Sequence, residues 1–273
     1  MKYKNKVALL YDFDGTLAPG NMQEFTFAPK LLGMERKQWW DTVNCFGESH
    51  NMDPTLSVMY MMMTVAKQKG VNITRDDFVS LGKDIHYFNG VETWFDHIND
   101  FAKKYGLEIQ HYVISSGLKE IIEGTSISKH FKRIFASCYA YDKNGDAFWP
   151  SQAVNYTTKQ QFIHRIRKNA IDSLYETKSV VEVVDNKEEL FPYDHMIYFG
   201  DGETDIPAMK TISKKGGQSI CVYDPDKPSA YQKAKKIYLT KRADNMACAD
   251  WSQGSELCKL VEQRIIKIAS YLQ

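Results

Sequence analysis

The chain has 273 residues, of which 43% are apolar, and its 35 basic side chains nearly cancel its 34 acidic ones. This length and composition allow one large α/β domain with a smaller inserted domain. The balanced charge excludes a broad basic field for nucleic acid or an anionic membrane, so we expect a small partner.

Five cysteines are widely spaced and form no CxxC pair: Cys45, Cys138, Cys221, Cys248 and Cys258. This pattern argues against a disulfide framework or a zinc knuckle and favours a reducing cytoplasm. The histidines likewise show no paired spacing for a transition metal, so we expect isolated structural roles for His86, His97, His111, His130, His164 and His195.

The first predicted strand is the apolar run from Val7 to Tyr11. It is too short for a signal segment or a membrane span. An unbroken apolar run is typical of a central parallel strand that is buried on both faces. The run ends in Asp-x-Asp-Gly-Thr, at the end of a strand where open α/β sheets bind ligands.

The next 90 residues lack clear strand signals and predict helices at Glu35 to Phe46, Pro54 to Lys69, Arg75 to Ile85 and Gly90 to Tyr105. The last of these helices already belongs to the sheet domain. We therefore predict a core domain made of residues 1–17 and 91–273 and a helical cap domain made of residues 18–90.

Beyond the cap, strands and helices alternate, which indicates parallel βαβ units. Apolar runs at Gln110 to Ile114, His195 to Phe199 and Ser219 to Tyr223 each end at small and polar residues. Helices are predicted at Leu118 to Gly124, Thr158 to Ile171 with Thr157 or Thr158 as N-cap, Ile206 to Ile212, and Glu256 to Leu272. Asn144-Gly145 predicts a hairpin within Cys138 to Trp149. The predicted fold is a three-layer, doubly wound parallel sheet with an α-helical cap.

Four short motifs follow predicted strands or open a helix: DFDGTL at 12–17, Ser115, Lys159, and GDGETD at 200–205. Together and in this order they resemble the motifs of the haloacid dehalogenase (HAD) superfamily, in its phosphoserine phosphatase-like branch with a helical cap after the first motif. The resemblance covers the whole sheet domain and implies a hydrolase that uses Mg²⁺.

The resemblance implies a different role for each of the acidic residues. Asp12 would attack phosphorus and become an aspartyl-phosphate, and Asp14 would act as general acid and then as general base. Asp12, Asp201 and the backbone carbonyl of Asp14 would hold Mg²⁺, which prefers hard oxygen ligands. Asp205 would orient a metal-bound water or Lys159.

The remaining motif residues would contact the phosphate. Lys159 would offset the repulsion between the phosphate and the nucleophile, and Ser115 would hydrogen-bond a phosphoryl oxygen. Ser116 competes with Ser115 for that role, although Ser115 is favoured because it ends the strand directly. Gly15, Thr16, and the backbone N–H groups of Ser116 and Gly117 complete the predicted phosphate site.

The cap would set specificity, and its candidate polar contacts are Asn21, Glu24, Arg36, Glu48 and His50, although each is a residue type found more often at the surface or in caps. The Met-rich run from Met59 to Met63 is expected to be cap core. A phosphoserine phosphatase would have a Glu nearer the nucleophile than Glu24, and this departure puts phosphoserine in doubt as the substrate.

The predicted function is hydrolysis of a small phosphomonoester by a monomer or homodimer, with no nucleic-acid or membrane partner. The second aspartate of DxD, Asp14, argues against a haloalkanoate dehalogenase, which needs no such acid or base. A phosphomutase and a phosphonate hydrolase with a cap lysine stay open, and so does a binding or regulatory protein that keeps the fold without turnover.

Overall fold

A computed structural model of the protein describes residues 4–173, 175, 181 and 191–272. Its seven-stranded sheet has the order β4-β3-β2-β1-β5-β6-β7. The strands are β1 Lys6–Tyr11, β2 Glu108–Leu118, β3 Phe131–Tyr141, β4 Ala147–Gln152, β5 Met196–Gly200, β6 Gln218–Tyr223 and β7 Asn245–Cys248. All neighbouring pairs are parallel except β3–β4, which is the predicted hairpin and ends the sheet with an antiparallel edge strand.

Helices cover both faces of this sheet. In the described part of the chain, the α-helices are α1 Ala28–Leu31, α2 Arg36–Ser49, α3 Pro54–Gln68, α4 Arg75–Leu81, α5 Val91–Lys103, α6 Lys119–Glu123, α7 Thr158–Arg167, α8 Ile206–Lys214, α9 Pro228–Leu239 and α10 Glu256–Ser270. A π-helical turn at Gln23–Phe27 precedes α1. None of these helices is long and apolar enough to cross a membrane.

Strand β1 lies at the centre of the sheet, and its side chains alternate between two buried layers. Val7, Leu9 and Tyr11 pack with α5, α10 and the helices of the first hundred residues. Ala8 and Leu10 pack with α7, α8 and α9 on the other face. Burial on both faces explains the unbroken apolar run and confirms the three-layer, doubly wound prediction.

Helices α2 to α5 confirm the helical reading of the segment after the first strand. Phe27 packs against Trp39 and Phe78, and Met59 and Met62 are buried among the same helices. These contacts agree with the prediction that the Met-rich run is core. The division of the chain into a core domain and a cap at residues 18–90 stays a prediction.

Several element ends differ from the sequence-based expectation, such as the end of α4 at Leu81 rather than Ile85, and two of these differences have a visible cause. Strand β2 does not end at Ile114 but continues through Ser115, Ser116 and Gly117 with an irregular register against β3, where Ser137 Oγ donates to the Ser116 carbonyl. Helix α7 ends at Arg167 because Asn169, with φ 53°, cannot continue it.

Thr157 occupies the N-cap position of α7, as predicted, but the capping hydrogen bonds come from another residue. Neither Thr157 nor Thr158 caps the helix with its own side chain. Instead, Asn155 Oδ1 accepts the backbone N–H groups of both threonines at 3.1 Å. Asn155 in turn donates from Nδ2 to Asp53, the N-cap residue of α3, and so ties the start of α7 to α3.

A chain of buried hydrogen bonds supports β1 just before its carboxyl end. Trp94 Nε1 donates to the Tyr11 hydroxyl at 2.9 Å, and that hydroxyl lies 2.9 Å from His111 Nδ1. His111 Nε2 lies 3.1 Å from Asn99 Oδ1, so the ring is satisfied as the neutral Nε2–H tautomer. Burial, with a smaller effect of His130, lowers the pKa of His111 to about 3.

This low pKa predicts a pH dependence of stability. The unfolded chain protonates His111 below pH 6.5 while the folded chain does not, so stability is lost as the pH falls, by about 1.4 kcal/mol per pH unit. We expect His111→Gln, although less stable at pH 7, to lack this loss between pH 6.5 and 5. Urea denaturation at several pH values measures how the free energy of unfolding changes with pH in the wild type and in His111→Gln. The matched control is His86→Gln, at an exposed histidine. Equal slopes in all three proteins would contradict the assignment.

Candidate active site

Asp12 directly follows β1, beside the end of the neighbouring parallel strand β5. Its backbone N–H donates to the Phe199 carbonyl, and its Oδ1 accepts the N–H of Phe13 at 2.8 Å. The ammonium of Lys159 lies 3.1 Å from the same oxygen. Since no described residue donates to Oδ2, and Asp12 lines a cavity, this second oxygen is available to a ligand.

Lys159, in the first turn of α7, is buried between two carboxylates. Its Nζ lies 2.6 Å from Asp205 Oδ1 in addition to its contact with Asp12. Asp205 is held by two further donors, the Tyr198 hydroxyl at 2.8 Å and the Gly202 N–H at 3.2 Å. A Cβ at Gly200 would lie only 2.4 Å from the Asp205 carboxyl carbon, so this close approach requires glycine.

Asp201 follows β5 and pairs with Lys233 of α9 at 2.9 Å. The motifs did not identify Lys233, because its helix carries several lysines and nothing in their spacing marks this one. Gly15, with φ 76°, brings its backbone so close that a Cβ there would lie 2.6 Å from the Asp201 carboxyl carbon. The first and fourth motifs therefore meet at this point.

Asp12, Asp201 and Asp205 each place a carboxylate oxygen within 4.8 Å of the others. Asp205 already accepts from an ammonium, a hydroxyl and a backbone N–H, which leaves Asp12 and Asp201 as the more available ligands. Together with Asp14, these carboxyl groups number four, against the two ammonium groups of Lys159 and Lys233. The oxygen donors and the excess negative charge fit a hard divalent cation.

The electrostatics of the cluster follow from burial. Burial first, and then the charge of Asp205, raises the pKa of Asp12 to about 7, against the opposing effect of Lys159. Burial and the charge of Asp12 hold the pKa of Asp14 well above its usual range. Burial acts to lower the pKa of Lys159, but Asp12 and Asp205 outweigh it and the pKa is raised. A bound cation would favour the charged carboxylates.

Asp14 lies beside the same cavity. Its Oδ1 accepts the N–H of Met22 at 3.1 Å. Its Oδ2 would lie 3.0 Å from a Cβ at Gly117, so the carboxyl of the first motif faces the backbone of the second. Asp14 is thus brought next to the predicted phosphate-binding backbone.

The predicted phosphate ligands divide into two groups. Ser115, Ser116 and Gly117 line the cavity with Asp12 and Asp14, while Gly15 lines an adjoining one. The Gly117 N–H donates to Ser115 Oγ at 3.0 Å, so that donor is engaged within the chain.

Thr16 is not brought to either of these cavities. Its side chain is fully buried, and its Oγ1 has no hydrogen-bond partner among the described residues. Its carbonyl accepts from Trp251 Nε1 at 3.1 Å. In the structure this residue therefore contacts the core rather than the cavity.

The cavity has a volume of about 260 Å³ and extends from the carboxylates to α2 and α3. Its wall on the helical side consists of Asn21, Gln23, Trp40, Pro54, Thr55, Val58 and Met59. Of the predicted cap contacts, only Asn21 lies in this wall.

The other predicted cap contacts lie behind the wall or away from it. Glu24 Oε2 accepts from Trp40 Nε1 at 2.6 Å and from Arg36 Nε at 3.0 Å, so Glu24 and Arg36 hold Trp40 rather than face the cavity. Glu48 and His50 lie at the exposed end of α2, outside the cavity wall.

A comparison with protein-family profiles finds no match. A curated relative, an uncharacterized protein of Borreliella burgdorferi, is 23% identical over an alignment of 305 positions that covers 96% of this chain and 97% of the relative.

Several solved structures are similar in fold. A HAD family hydrolase from Salmonella enterica serovar Typhi has a TM-score of 0.53 at 15% identity and is matched over 84% of this chain and 65% of its own, so this chain spans less than two thirds of it. A phospho-aspartyl intermediate analogue of phosphoserine phosphatase has a TM-score of 0.54 at 15% identity and is matched over 95% of this chain and 99% of its own. Cytosolic 5′-nucleotidase IIIB bound to cytidine has a TM-score of 0.53 at 12% identity and is matched over 99% of this chain and 87% of its own. The chain therefore has the HAD hydrolase fold.

The buried position of Lys159 predicts its effect on stability. Lys159→Met would leave Asp12 and Asp205 buried without their shared counter-charge, so we expect a loss of about 3 kcal/mol in the free energy of unfolding at neutral pH with EDTA present. Lys233→Met, which breaks a half-exposed pair, should cost less than about 1 kcal/mol. Urea denaturation compares the two, and adding Asp205→Asn to Lys159→Met should recover part of the loss. Equal losses in the two single variants would refute this account.

Proposed function

We propose that the protein is a magnesium-dependent phosphatase that hydrolyses a small phosphomonoester through an aspartyl-phosphate on Asp12. The observation that carries the proposal is the carboxylate of Asp12, which has one oxygen fixed by Lys159 and the other available to the cavity. The fold shared with a HAD hydrolase and with phosphoserine phosphatase supports the same reaction class.

The carboxylates of Asp12 and Asp201 and the carbonyl of Asp14 would hold Mg²⁺. When bound, the ion would supply positive charge that offsets the repulsion between the phosphate dianion and the attacking carboxylate. Asp205 would act through Lys159, because its own oxygens already accept hydrogen bonds from the chain. Lys233, through its ion pair, would fix the orientation of Asp201.

In the first step, Asp12 Oδ2 would form a bond to phosphorus as the ester P–O bond breaks. Asp14 would donate its proton to the departing alcohol oxygen, which its raised pKa allows. The hydrogen bond from Met22 to Asp14 Oδ1 leaves Oδ2 to carry that proton. The Ser115 hydroxyl and the Ser116 N–H would hydrogen-bond the phosphoryl oxygens.

In the second step, Asp14, now ionised, would take a proton from an attacking water. The water oxygen would form a bond to phosphorus as the P–O bond to Asp12 breaks, which releases phosphate and restores both aspartates. The same carboxyl group would therefore serve as acid and then as base, without any change of position.

The cavity wall favours an uncharged leaving group. Its side chains on the helical side are amides, a hydroxyl and apolar groups, and no lysine or arginine is among the described residues that line it. The nearby cation of Arg36 is engaged by Glu24. A substrate carboxylate would lie there without a counter-charge, which argues against phosphoserine and for the phosphate ester of a neutral alcohol.

The same observation bears on one of the alternatives. A phosphonate hydrolase of this superfamily would need a cap lysine at the substrate, and the described residues of this cavity offer none. A phosphomutase uses the same carboxylate pair and is separated from a phosphatase by its products.

The proposal predicts that the protein releases phosphate from p-nitrophenyl phosphate with Mg²⁺ and that EDTA abolishes the activity. Asp12→Asn should reduce kcat by at least about 10³-fold because the nucleophile is removed. Asp100→Asn, an exposed aspartate of α5, is the matched control and should retain activity. Folded wild-type protein without turnover on any phosphoester would exclude a hydrolase, and isomerisation of a sugar phosphate without phosphate release would identify a mutase.

A matched pair of substrates tests the neutral leaving group. Glycerol 3-phosphate and 3-phosphoglycerate differ by a hydroxymethyl group in place of a carboxylate. We expect kcat/KM to be at least about tenfold higher for glycerol 3-phosphate, because an unpaired buried charge costs more than 1.4 kcal/mol. Steady-state phosphate release measures both. A preference for 3-phosphoglycerate would contradict the reading of the cavity and leave the phosphatase proposal intact.

A further inference from the structure

Three potential metal ligands meet between α5 and α10, among residues that the proposed reaction does not use. His97 of α5 lies 3.0 Å from Glu262 Oε1 and 3.4 Å from Cys258 Sγ, both on α10. All three ligand atoms lie within 4.8 Å of one another. Cys258 is fully buried, whereas the side chains of His97 and Glu262 are 21% and 22% exposed, so solvent reaches one side of the trio.

The geometry excludes a relay of the kind used by nucleophilic cysteines. In such a relay, one imidazole nitrogen takes the thiol proton while the other nitrogen is held by the carboxylate. Here both Cys258 Sγ and Glu262 Oε1 approach the same atom, His97 Nε2. A single nitrogen cannot donate to the carboxylate and accept from the thiol at once, but a cation placed among the three atoms could bind all of them.

The two separations from His97 Nε2 fit a tetrahedral zinc ion. With Zn–S near 2.3 Å and Zn–N and Zn–O near 2.0–2.1 Å, tetrahedral ligands lie about 3.6 Å apart for S and N and about 3.3 Å for N and O. The corresponding separations here are 3.4 Å and 3.0 Å. These two separations would therefore need to widen by only a few tenths of an ångström, and Cys258 Sγ and Glu262 Oε1 lie within 4.8 Å of each other.

The ligands are carried by regular helices, which fixes their positions. Cys258 and Glu262 are four residues apart and share one face of α10, and His97 faces them from α5. Cys258 lies in the first turn of α10, whose N-cap residue is Ser255. Burial and the charge of Glu262 raise the pKa of its thiol, so the ion would displace the thiol proton as it binds. One thiolate and one carboxylate would also balance the charge of a divalent ion.

We propose that His97, Cys258 and Glu262 form a zinc site that links α5 to α10, with water as the fourth ligand. Thiolate and imidazole favour Zn²⁺ over Mg²⁺, so the site differs in ion preference from the carboxylates around Asp12. The site would stabilise the helical layer over β1, since the neighbouring α5 residues Trp94 and Phe95 contact Tyr11. The inference does not depend on the proposed phosphatase activity.

The test uses full-length protein that has been stripped of metal with a chelator and kept reduced, with excess Mg²⁺ to occupy the carboxylate cluster. Competition against a chromophoric zinc chelator should give one tight zinc site per chain. Zinc should also raise Tm, because an ion that binds only the folded state stabilises it. Co²⁺ in place of zinc should give the near-ultraviolet thiolate-to-cobalt absorption of a sulfur ligand.

Variants assign the site to these residues. Cys258→Ser should abolish the thiolate-to-cobalt absorption, and His97→Gln and Glu262→Gln, at partly exposed positions, should each weaken zinc binding by about 100-fold. Cys45→Ser, at an exposed cysteine outside the trio, should change neither result. If folded wild-type protein binds no zinc in excess Mg²⁺, or if His97→Gln and Glu262→Gln bind zinc as tightly as wild type, the proposal is wrong. Loss of zinc binding in Asp201→Asn instead would place the ion at the carboxylate cluster and also overturn it.

Discussion

The buried ammonium of Lys159 is the interaction on which the arrangement of the site depends. Taking an ammonium out of water costs several kcal/mol, and here two carboxylates, those of Asp12 and Asp205, offset that cost. These groups come from the end of β1, the start of α7 and the loop after β5, so one charge holds three separated segments together. Tyr198 and the Gly202 N–H then fix Asp205. Lys159 thereby positions the nucleophile of the proposed reaction.

The same arrangement leaves the site with more negative than positive charge. Asp14 and Asp201 add two carboxyl groups, but among the described residues only Lys233 forms an ion pair with either of them, and its side chain is partly exposed. The raised pKa values of Asp12, Asp14 and Asp201 have burial as their first cause, and the charge of a neighbouring aspartate adds to it in each case. A bound cation would offset the repulsion between the aspartates. The proposed metal site is thus a consequence of this charge imbalance, whereas the acid–base role proposed for Asp14 depends on its burial, the first cause of its raised pKa.

Periodicity and motif order predicted the layers of the fold and the residues that meet at the sheet edge. An apolar run buried on both faces has few alternatives to a central strand. Neighbouring parallel strands end at the same edge of the sheet, so the residues that follow them, Asp12 and Asp201, lie close together. The continuation of β2 past Ile114 was not predictable, because it rests on the hydrogen bond from Ser137 to the Ser116 carbonyl. Small polar residues after an apolar run indicate a loop unless such a partner is present.

Other features escaped prediction because they depend on contacts between distant parts of the chain. Lys233 is one of several lysines on an amphipathic helix until Asp201 is placed beside it. Glu24 and Arg36 have the chemistry of substrate contacts, yet the structure uses them to hold Trp40 in the cavity wall. The residue type indicates what a side chain can do, while the tertiary contact decides whether it does so to the chain or to a ligand.

The proposed zinc site extends this argument to metal ligands. Spacing rules find metal ligands that are close in sequence, but His97 and Cys258 are 161 residues apart, and only the packing of α5 on α10 joins them. The two proposed metal sites also differ in donor chemistry. Zn²⁺ binds most sites more tightly than Mg²⁺, so a cluster of carboxylates alone would not reject it. A thiolate–imidazole site in the same chain would bind zinc more tightly still, and would leave the carboxylates to the more abundant, harder ion.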